Sequence, residues 1–293
     1  MAASDLSSRS EVIALIGRFG IHPQKHLGQS FLVDRCVLGR IAEEARSICS
    51  NKILEIGAGL GTVTLELAHL CPTVVALEID PRLMDVLAET VGDREEIELV
   101  RQDFLSFDFE KTFGDEQVFV FGSIPYRITA PILKKLTECR EYISAALLLT
   151  QEEVAHKIKA SPGPEGSSLG VMLYAYADIS VIERVPRKSF HPVPRVDSTL
   201  WLLRFLPHAR FSADPGTFFA LTRTLYGKRR KMIRRALRDL VSAKRVDDVL
   251  VRSGLDGTRR GDTLSIEELD RLARVVDEEG TGGLPLRDKV RLP

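Results

Sequence analysis

Glycine occupies every second position from 57 to 61 in the segment Leu54-Glu-Ile-Gly-Ala-Gly-Leu-Gly-Thr62, directly after the apolar run Lys52–Ile56. Glycines in such a turn remove the Cβ atoms that would hold a ligand off the backbone, and the N–H groups opening the next helix favour polar or anionic partners. A dinucleotide fingerprint places its third glycine five residues after the first. Thr62 stands there, so the spacing favours a nucleoside without a pyrophosphate. Glu78 ends the strand-like run Val74-Val-Ala-Leu about one βα unit later, where a carboxylate can accept the hydroxyls of a ribose. Each feature alone has an ordinary explanation, a tight turn or a solvated strand-end acid. Together they point to a nucleoside site.

Two further segments end apolar runs, Gln102-Asp-Phe104 and Ser123-Ile-Pro-Tyr126. Val118-Phe-Val-Phe121 reads as a buried strand, which puts the second of them at the carboxyl edge where α/β sheets bind ligands. Pro125 fixes its own φ and has no N–H to donate. Such a turn can aim the carbonyl of Ile124 or Pro125 at an exocyclic amine, while Tyr126 supplies a flat face for a flipped base. Base–aromatic stacking of this kind contributes about 1–3 kcal/mol. The lone pair of adenine N6 is delocalised into the ring. Accepting hydrogen bonds from its N–H groups draws the nitrogen toward a nucleophilic, tetrahedral geometry.

In these segments the chain resembles the KsgA-type small-subunit (16S) ribosomal RNA adenine N6,N6-dimethyltransferases, which use S-adenosylmethionine. The resemblance runs over nearly the whole length. It also takes in Gln24-Lys-His-Leu-Gly-Gln-Ser-Phe-Leu32, Gln151-Glu-Glu-Val-Ala155, Phe190-His-Pro-Val-Pro-Arg-Val-Asp-Ser198, Lys228-Arg-Arg-Lys-Met-Ile-Arg-Arg-Ala-Leu237 and Leu264-Ser-Ile-Glu-Glu-Leu-Asp-Arg-Leu-Ala273. It implies dimethylation of two adjacent adenosines near the 3′ end of small-subunit rRNA, coupled to late subunit assembly. It further implies that Ser30 and Leu32 contact the cofactor, Gly57 approaches its amino-acid part, Glu78 holds its ribose and Asp103 receives its adenine amine. Ser123 would close the site between cofactor and substrate, with Pro125 and Tyr126 at the target base. Two residues depart from the family pattern. Asn is usual where this chain has Ser123, and Asn or His is common where it has Ser30. A serine hydroxyl still accepts a hydrogen bond but is shorter by about one bond, so it reaches the amine less directly or through water.

At 293 residues and 44% hydrophobic content, the chain suits one medium domain and a smaller one. No apolar run approaches the roughly 18 residues of a membrane span, and the start lacks a secretory signal, which predicts a cytoplasmic, monomeric protein. Cys36, Cys49, Cys71 and Cys139 are scattered and the six histidines form no cluster, so reduced thiols and no metal site are expected. The net charge is zero, but between Leu221 and Arg245 ten Lys or Arg residues face one acid, Asp239. Within that run Arg223, Lys228, Arg229, Arg230, Arg234 and Arg238 are the candidate RNA contacts. Helical spacing over Lys228–Leu240 puts Arg230, Arg234 and Arg238 on one face, and Met232, Ile233, Ala236, Leu237 and Leu240 toward a core. A phosphate-tracking helix follows, against the alternative of a solvated basic face.

The expected architecture is α/β: a Rossmann-like class I S-adenosylmethionine methyltransferase sheet with a small C-terminal all-helical domain. After a short helix at Glu11–Phe19 and an extended arm at Gln24–Leu32, parallel strands are expected at Lys52–Ile56, Thr73–Leu77, Ile97–Arg101, Gln117–Phe121 and Ala145–Thr150. A helix over Leu169–Ala177 and a closing hairpin of Ile179–Val185 with Thr199–Phe205 follow. The Pro-marked linker at 207–215 divides a methyltransferase domain, 1–207, from a helical RNA-binding domain, 208–276, with helices at Thr217–Tyr226, Lys228–Leu240, Val246–Ser253 and Ser265–Val276. Residues 277–293 are polar and rich in Gly and Pro, as in a flexible tail. Two other functions compete: a different adenine N6-methyltransferase, of the large-subunit rRNA resistance type or acting on DNA, and a binding or assembly factor that has lost turnover, for which Ser123 is the argument.

Overall fold

The computed structural model describes residues 6, 8–24, 28–48 and 51–278, with the backbone alone at Tyr126. The expected tail lies outside the described residues from 279 onward, as do residues 25–27 of the arm and Cys49. In chain order the elements are α1 (Arg9–Arg18), β1 (Phe31–Leu32), α2 (Arg35–Ile48), β2 (Lys52–Ile56), α3 (Thr62–Ala68), β3 (Thr73–Glu78) and α4 (Pro81–Val91). They continue with β4 (Ile97–Arg101), α5 (Phe109–Phe113), β5 (Val118–Ser123), α6 (Thr129–Glu138), β6 (Ile143–Gln151), α7 (Glu152–Lys159), α8 (Ser168–Tyr176) and β7 (Ala177–Val185). Last come β8 (Phe190–His191), β9 (Ser198–Phe205), α9 (Pro215–Gly227), α10 (Ile233–Leu237), α11 (Val246–Ser253) and α12 (Ile266–Glu278).

Seven strands form one sheet in the order β4-β3-β2-β5-β6-β9-β7. The neighbours from β4 through to β6 run parallel and β9 returns antiparallel to β6. The inner parallel strands β2, β3, β5 and β6 are mostly apolar runs because helices cover both faces of such a sheet, whereas the edge strand β4 has no buried residue. Ile53, Val74, Phe119 and Ala145 are register partners across four strands, and all belong to the cluster that buries Val37, Leu38, Ile41 and Ala45 of α2. Strand order reverses between β2 and its two neighbours, β3 and β5, which is where an open α/β sheet leaves a crevice at its carboxyl edge. The N-terminal arm is packed there. Phe31 and Val33 share a core with Leu60 of the glycine turn and Leu83 of α4, and β1 pairs antiparallel with β8.

The described residues separate into two compact units, those up to 155 with 180–205, and those of 156–179 with 206–278. The second unit therefore takes in α8, which the linear division at 207/208 leaves with the sheet. Its core is aromatic. Phe211 stacks on Phe218 at 4.2 Å between ring centroids, and Tyr176 and Phe219 close the group. Asp262 is fully buried and held by the Arg260 guanidinium, whose Nε lies 3.1 Å from its Oδ1.

One helix expected from the periodicity is broken. Instead of Lys228–Leu240, only Ile233–Leu237 is α-helical. Met232 is extended and makes an isolated antiparallel bridge with Arg260, while the N–H groups of Ile233 and Arg234 donate to the Arg259 and Gly257 carbonyls at 2.8 and 3.1 Å. Backbone donors that a continuous helix would use internally are thus spent on the 257–260 loop. Ile233, Ala236 and Leu237 are buried as expected, whereas Met232 is 52% exposed. Arg230 lies before the helix and Arg238 caps its end, so the supposed basic face of Arg230, Arg234 and Arg238 does not exist.

Gly61 shows how tightly the turn is packed. Its φ is +87°, and a Cβ there would lie 2.9 Å from Leu87 Cδ1 and 3.1 Å from Thr90 Cγ2 of α4. Gly61→Ala should lower the unfolding free energy by about 1–3 kcal/mol, combining left-handed strain with overpacking. Urea unfolding of the two proteins measures this, and an unchanged midpoint would show that α4 yields freely.

Candidate active site

Strand register sets out the site in a line. β4, β3, β2 and β5 lie side by side with Glu78 beside Arg101, Leu77 beside Ile56, and Ile56 beside Gly122. Glu78 and Ser123, which end β3 and β5, and Gly57 and Asp103, which lie just past β2 and β4, consequently line one cavity of about 890 Å³. That volume lies at the upper end of the roughly 300–1,000 Å³ of small-molecule sites.

The glycine turn is held open by its backbone. Gly57 and Ala58 N–H both donate to the Leu77 carbonyl at 2.9 Å, and Gly57 and Gly59 have φ of +77° and +61°. A Cβ on Gly57 would stand 3.8 Å from the Ser123 carbonyl oxygen, in the gap between turn and substrate-side loop. A Cβ on Gly59 would meet the Phe31 ring at 3.3 Å. Gly57 thus leaves space for a ligand, whereas Gly59 and Gly61 leave space for protein.

Glu78 is nearly buried, and its carboxylate accepts three backbone hydrogen bonds. Oε2 accepts from Gly59 N–H at 2.9 Å, and Oε1 accepts from Ile79 and Asp80 N–H, each at 2.8 Å. Burial raises its pKa, opposed by the three donors and reinforced by the nearby Asp80 charge. A carboxylate offers about four lone-pair positions. Oε1 is therefore filled, and Oε2 keeps one position for a ligand hydroxyl. Asp103 is exposed just past the next strand end; its Oδ1 accepts from Leu105 N–H at 2.9 Å, capping the short turn of residues 104–106. Lys135 of α6 donates to the Leu105 carbonyl at 2.9 Å and to the Phe107 carbonyl at 2.5 Å, fixing the loop that carries Asp103.

At the other end, Ser123 is half-buried, Ile124 N–H donates to the Leu149 carbonyl at 3.0 Å, and the Pro125 carbonyl accepts from Ile128 N–H and Thr129 Oγ1 at 3.2 and 3.1 Å. The Pro125 carbonyl is thereby committed to starting α6. The Tyr126 side chain lies outside the described residues. Ser30 lines the cavity, its hydroxyl donating to the Pro192 carbonyl. Leu32 does not line it. Adjacent residues of β1 point opposite ways, so Phe31 faces the glycine turn while Leu32 enters the core beside Phe190. Gln29, also on the lining, accepts from Gln24 N–H at 2.8 Å and donates to Asp80 Oδ2 at 2.7 Å, latching the arm to the start of α4. The Arg82 guanidinium, followed by Gln29, holds the Asp80 carboxyl down at about 2.

The six candidate RNA residues of the second unit divide into two sets. Lys228 pairs with Asp239, Arg234 with Asp247, and Arg229 donates to the Gly166 carbonyl at 2.5 Å with its guanidinium 5.8 Å from the Tyr226 ring. Arg223, Arg230 and Arg238 are exposed and make no ion pair with a described residue, and Lys231 and Arg235 are placed likewise. Among the described residues, no group of His, Cys, Asp or Glu is arranged to hold a metal ion, and no helix is long and apolar enough to cross a membrane.

A sequence model of the family described as ribosomal RNA adenine dimethylase matches residues 21–278. The chain is 31% identical over 280 residues to a protein of Clostridioides difficile named ribosomal RNA small subunit methyltransferase A, covering 93% of this chain and 97% of that one. It is 32% identical over 284 residues to the protein of that name from Bacillus mycoides, with the same coverage. Among solved structures, the 23S rRNA methyltransferase ErmE superposes with a TM-score of 0.66 at 30% identity, covering 84% of this chain and 99% of that one. A dimethyladenosine transferase from Plasmodium falciparum has a TM-score of 0.72 at 22% identity, covering 86% and 98%, and shows the shared fold.

Glu55, in the strand leading to the glycine turn, is 1% exposed, and its Oε2 has no hydrogen-bond partner among the described residues. Burial pushes its carboxyl up to about 7, the Thr64 hydroxyl offsets part of this, and the Glu78 charge adds to it. A carboxyl whose pKa is raised on folding binds its proton more tightly in the folded state, so folding stability falls as pH climbs from the ordinary carboxyl range through about 7. Glu55→Gln should remove that fall, gaining about 1–3 kcal/mol relative to the native protein between pH 5 and pH 8. Urea unfolding at the two pH values measures it. An identical pH slope in both proteins would mean that Glu55 is ionised in the folded state.

Proposed function

Since the chain belongs to the ribosomal RNA adenine dimethylase family, we propose that it is an S-adenosylmethionine-dependent enzyme that dimethylates N6 of two adjacent adenosines near the 3′ end of small-subunit rRNA. The observation that carries this is the line Asp103, Glu78, Gly57, Ser123 on one cavity, the order in which adenine, ribose, amino-acid part and reacting methyl of such a cofactor would lie. The residues fit the group. The space before Gly57 is one that a Cβ would partly fill, Glu78 Oε2 has a position left for a ribose hydroxyl, and Asp103 faces the cavity from the next strand. When bound, S-adenosylmethionine supplies an electrophilic methyl group.

The protein's own contribution is to bind, orient and exclude water. Ser123 Oγ and the Ile124 carbonyl accept the N–H groups of the substrate amine, the Pro125 carbonyl being occupied by α6, and Tyr126 supplies the stacking face. Holding the amine by two acceptors favours the tetrahedral nitrogen that reaction requires. Arg223, Arg230 and Arg238, with Lys231 and Arg235, grip RNA phosphates, while Lys228, Arg229 and Arg234 shape the surface that presents them. The enzyme works as a cytoplasmic monomer on an assembling small subunit. Names of the relatives that match over 93% of the chain support the small subunit over the large.

Ser123 favours one other reading, a binding factor without turnover, because it replaces the family's usual asparagine. Undermethylated small subunits offered to the protein, scored by mass spectrometry, decide between the two. The native protein is expected to form methylated adenosine with a share stalled at the monomethyl stage. Ser123→Asn should raise the rate or the dimethyl fraction about threefold to tenfold, as one direct hydrogen bond of about 0.5–1.5 kcal/mol would do. No product from the native protein, with clear product from Ser123→Asn, would identify a binding factor.

A further inference from the structure

The described lining of the cavity carries two carboxylates, Glu78 and Asp103, and a single cation, Arg195. They lie at opposite ends. The acids follow β3 and β4, whereas Arg195 sits in the segment between β8 and β9, and that segment ends at Ser198 beside Gln151 of β6, beyond the strand that carries Ser123. Arg195 is exposed, and its guanidinium makes no hydrogen bond or ion pair with a described residue. The acid two residues away does not compensate it. Asp197 accepts from the Arg187 N–H at 2.8 Å and from the Arg184 guanidinium at 2.6 Å, and Arg184 also reaches Glu152 at 2.9 Å.

The same contacts make the loop rigid. Glu152 N–H donates to the Asp197 carbonyl at 3.1 Å, and Arg187 Nη1 donates to the Arg195 carbonyl at 3.3 Å. Val193 and Val196, 51% and 42% exposed, flank the arginine and also line the cavity. An uncompensated guanidinium on a fixed loop, between two apolar side chains, suits an anion attached to a flat or apolar body.

We propose that Arg195 binds the backbone phosphate of the nucleotide whose base enters the cavity, making it a positioning residue for the flipped adenosine. This rests on the function proposed above. A base drawn out of its stack brings its own phosphates to the rim, and a guanidinium fixed there sets how deep it sits. The carboxylate of the cofactor would present the same anionic oxygen chemistry. The position of Arg195 on the substrate side of Ser123 favours the phosphate, and the two sources give different results.

The test compares the native protein with Arg195→Ala and Arg195→Lys in titrations of undermethylated small subunits at several salt concentrations, and in calorimetry with S-adenosylmethionine. Arg195→Ala should weaken subunit binding about threefold to tenfold and flatten the slope of log affinity against log salt by about 0.7–0.9, with cofactor affinity within twofold of native. Arg195→Lys should keep the native slope. Loss of cofactor affinity with an unchanged slope would overturn the proposal in favour of the cofactor's carboxylate. Native slope and affinities in Arg195→Ala would return the residue to solvent. Failure of the native protein itself to bind subunits would overturn the proposed function, which an effect confined to the variants cannot do.

Discussion

A carboxylate placed where three backbone N–H groups converge organises the carboxyl edge of this sheet. Glu78 leaves β3 almost buried, a costly position for a charge unless donors replace water. Here they do. Gly59 N–H fixes the glycine turn on one oxygen, and Ile79 and Asp80 N–H fix the approach to α4 on the other. Asp80 in turn caps α4 through Arg82 N–H at 3.0 Å and takes the Gln29 side chain from the arm. The turn, the helix and the arm over the cavity are therefore three extensions of one carboxylate. Its remaining lone pair is what the cavity offers a ligand at that point.

Strand positions were legible because buried parallel strands read as mostly apolar runs; Lys52–Ile56 stands where the sequence puts it, and so does the edge strand Ile97–Arg101, none of whose residues is buried. Strand ends then put Gly57, Glu78, Asp103 and Ser123 at the edge, since a residue that ends or follows a strand lies there whatever rotamer it takes. Contacts between distant segments were less visible. Gln29, Phe31 and Arg195 reach the cavity from the arm and from the 190–198 segment, and their placement depends on the pairing of β1 with β8, a two-residue ladder too short to leave a periodic signal. The Leu32 side chain stands in the core with Phe190, while that of Phe31 lines the cavity. The Lys228–Leu240 helix failed for a different reason. Helical periodicity is a local property, and the 257–260 loop competed for the same backbone donors.

Charge follows the same division between local pattern and tertiary placement. Ten cations in a short stretch point to a polyanion, yet the sequence cannot say which of them the protein uses on itself. Lys228 and Arg234 face acids eleven and thirteen residues onward, and Arg229 spans back to Gly166. Substitutions there perturb the surface as well as the charge. In the first unit the sorting runs the other way: the Arg184 guanidinium and the Arg187 backbone N–H satisfy Asp197, the Arg187 side chain reaches the Arg195 carbonyl, and the Arg195 guanidinium remains uncompensated. A count of basic residues would rate all three alike.

Cofactor affinity of Glu78→Gln tests most directly whether this carboxylate organises the proposed S-adenosylmethionine site. The amide keeps the size of the side chain, but one of its two oxygens becomes a donor facing N–H groups, and the charge that strengthens the ribose contact is lost. Calorimetry should show S-adenosylmethionine binding at least tenfold weaker than in the native protein, the loss expected for charge-assisted hydrogen bonds worth about 1.5–3 kcal/mol. Native affinity in a variant with native secondary structure would contradict the account, since the glycine turn and the ribose position would then be set by something other than Glu78.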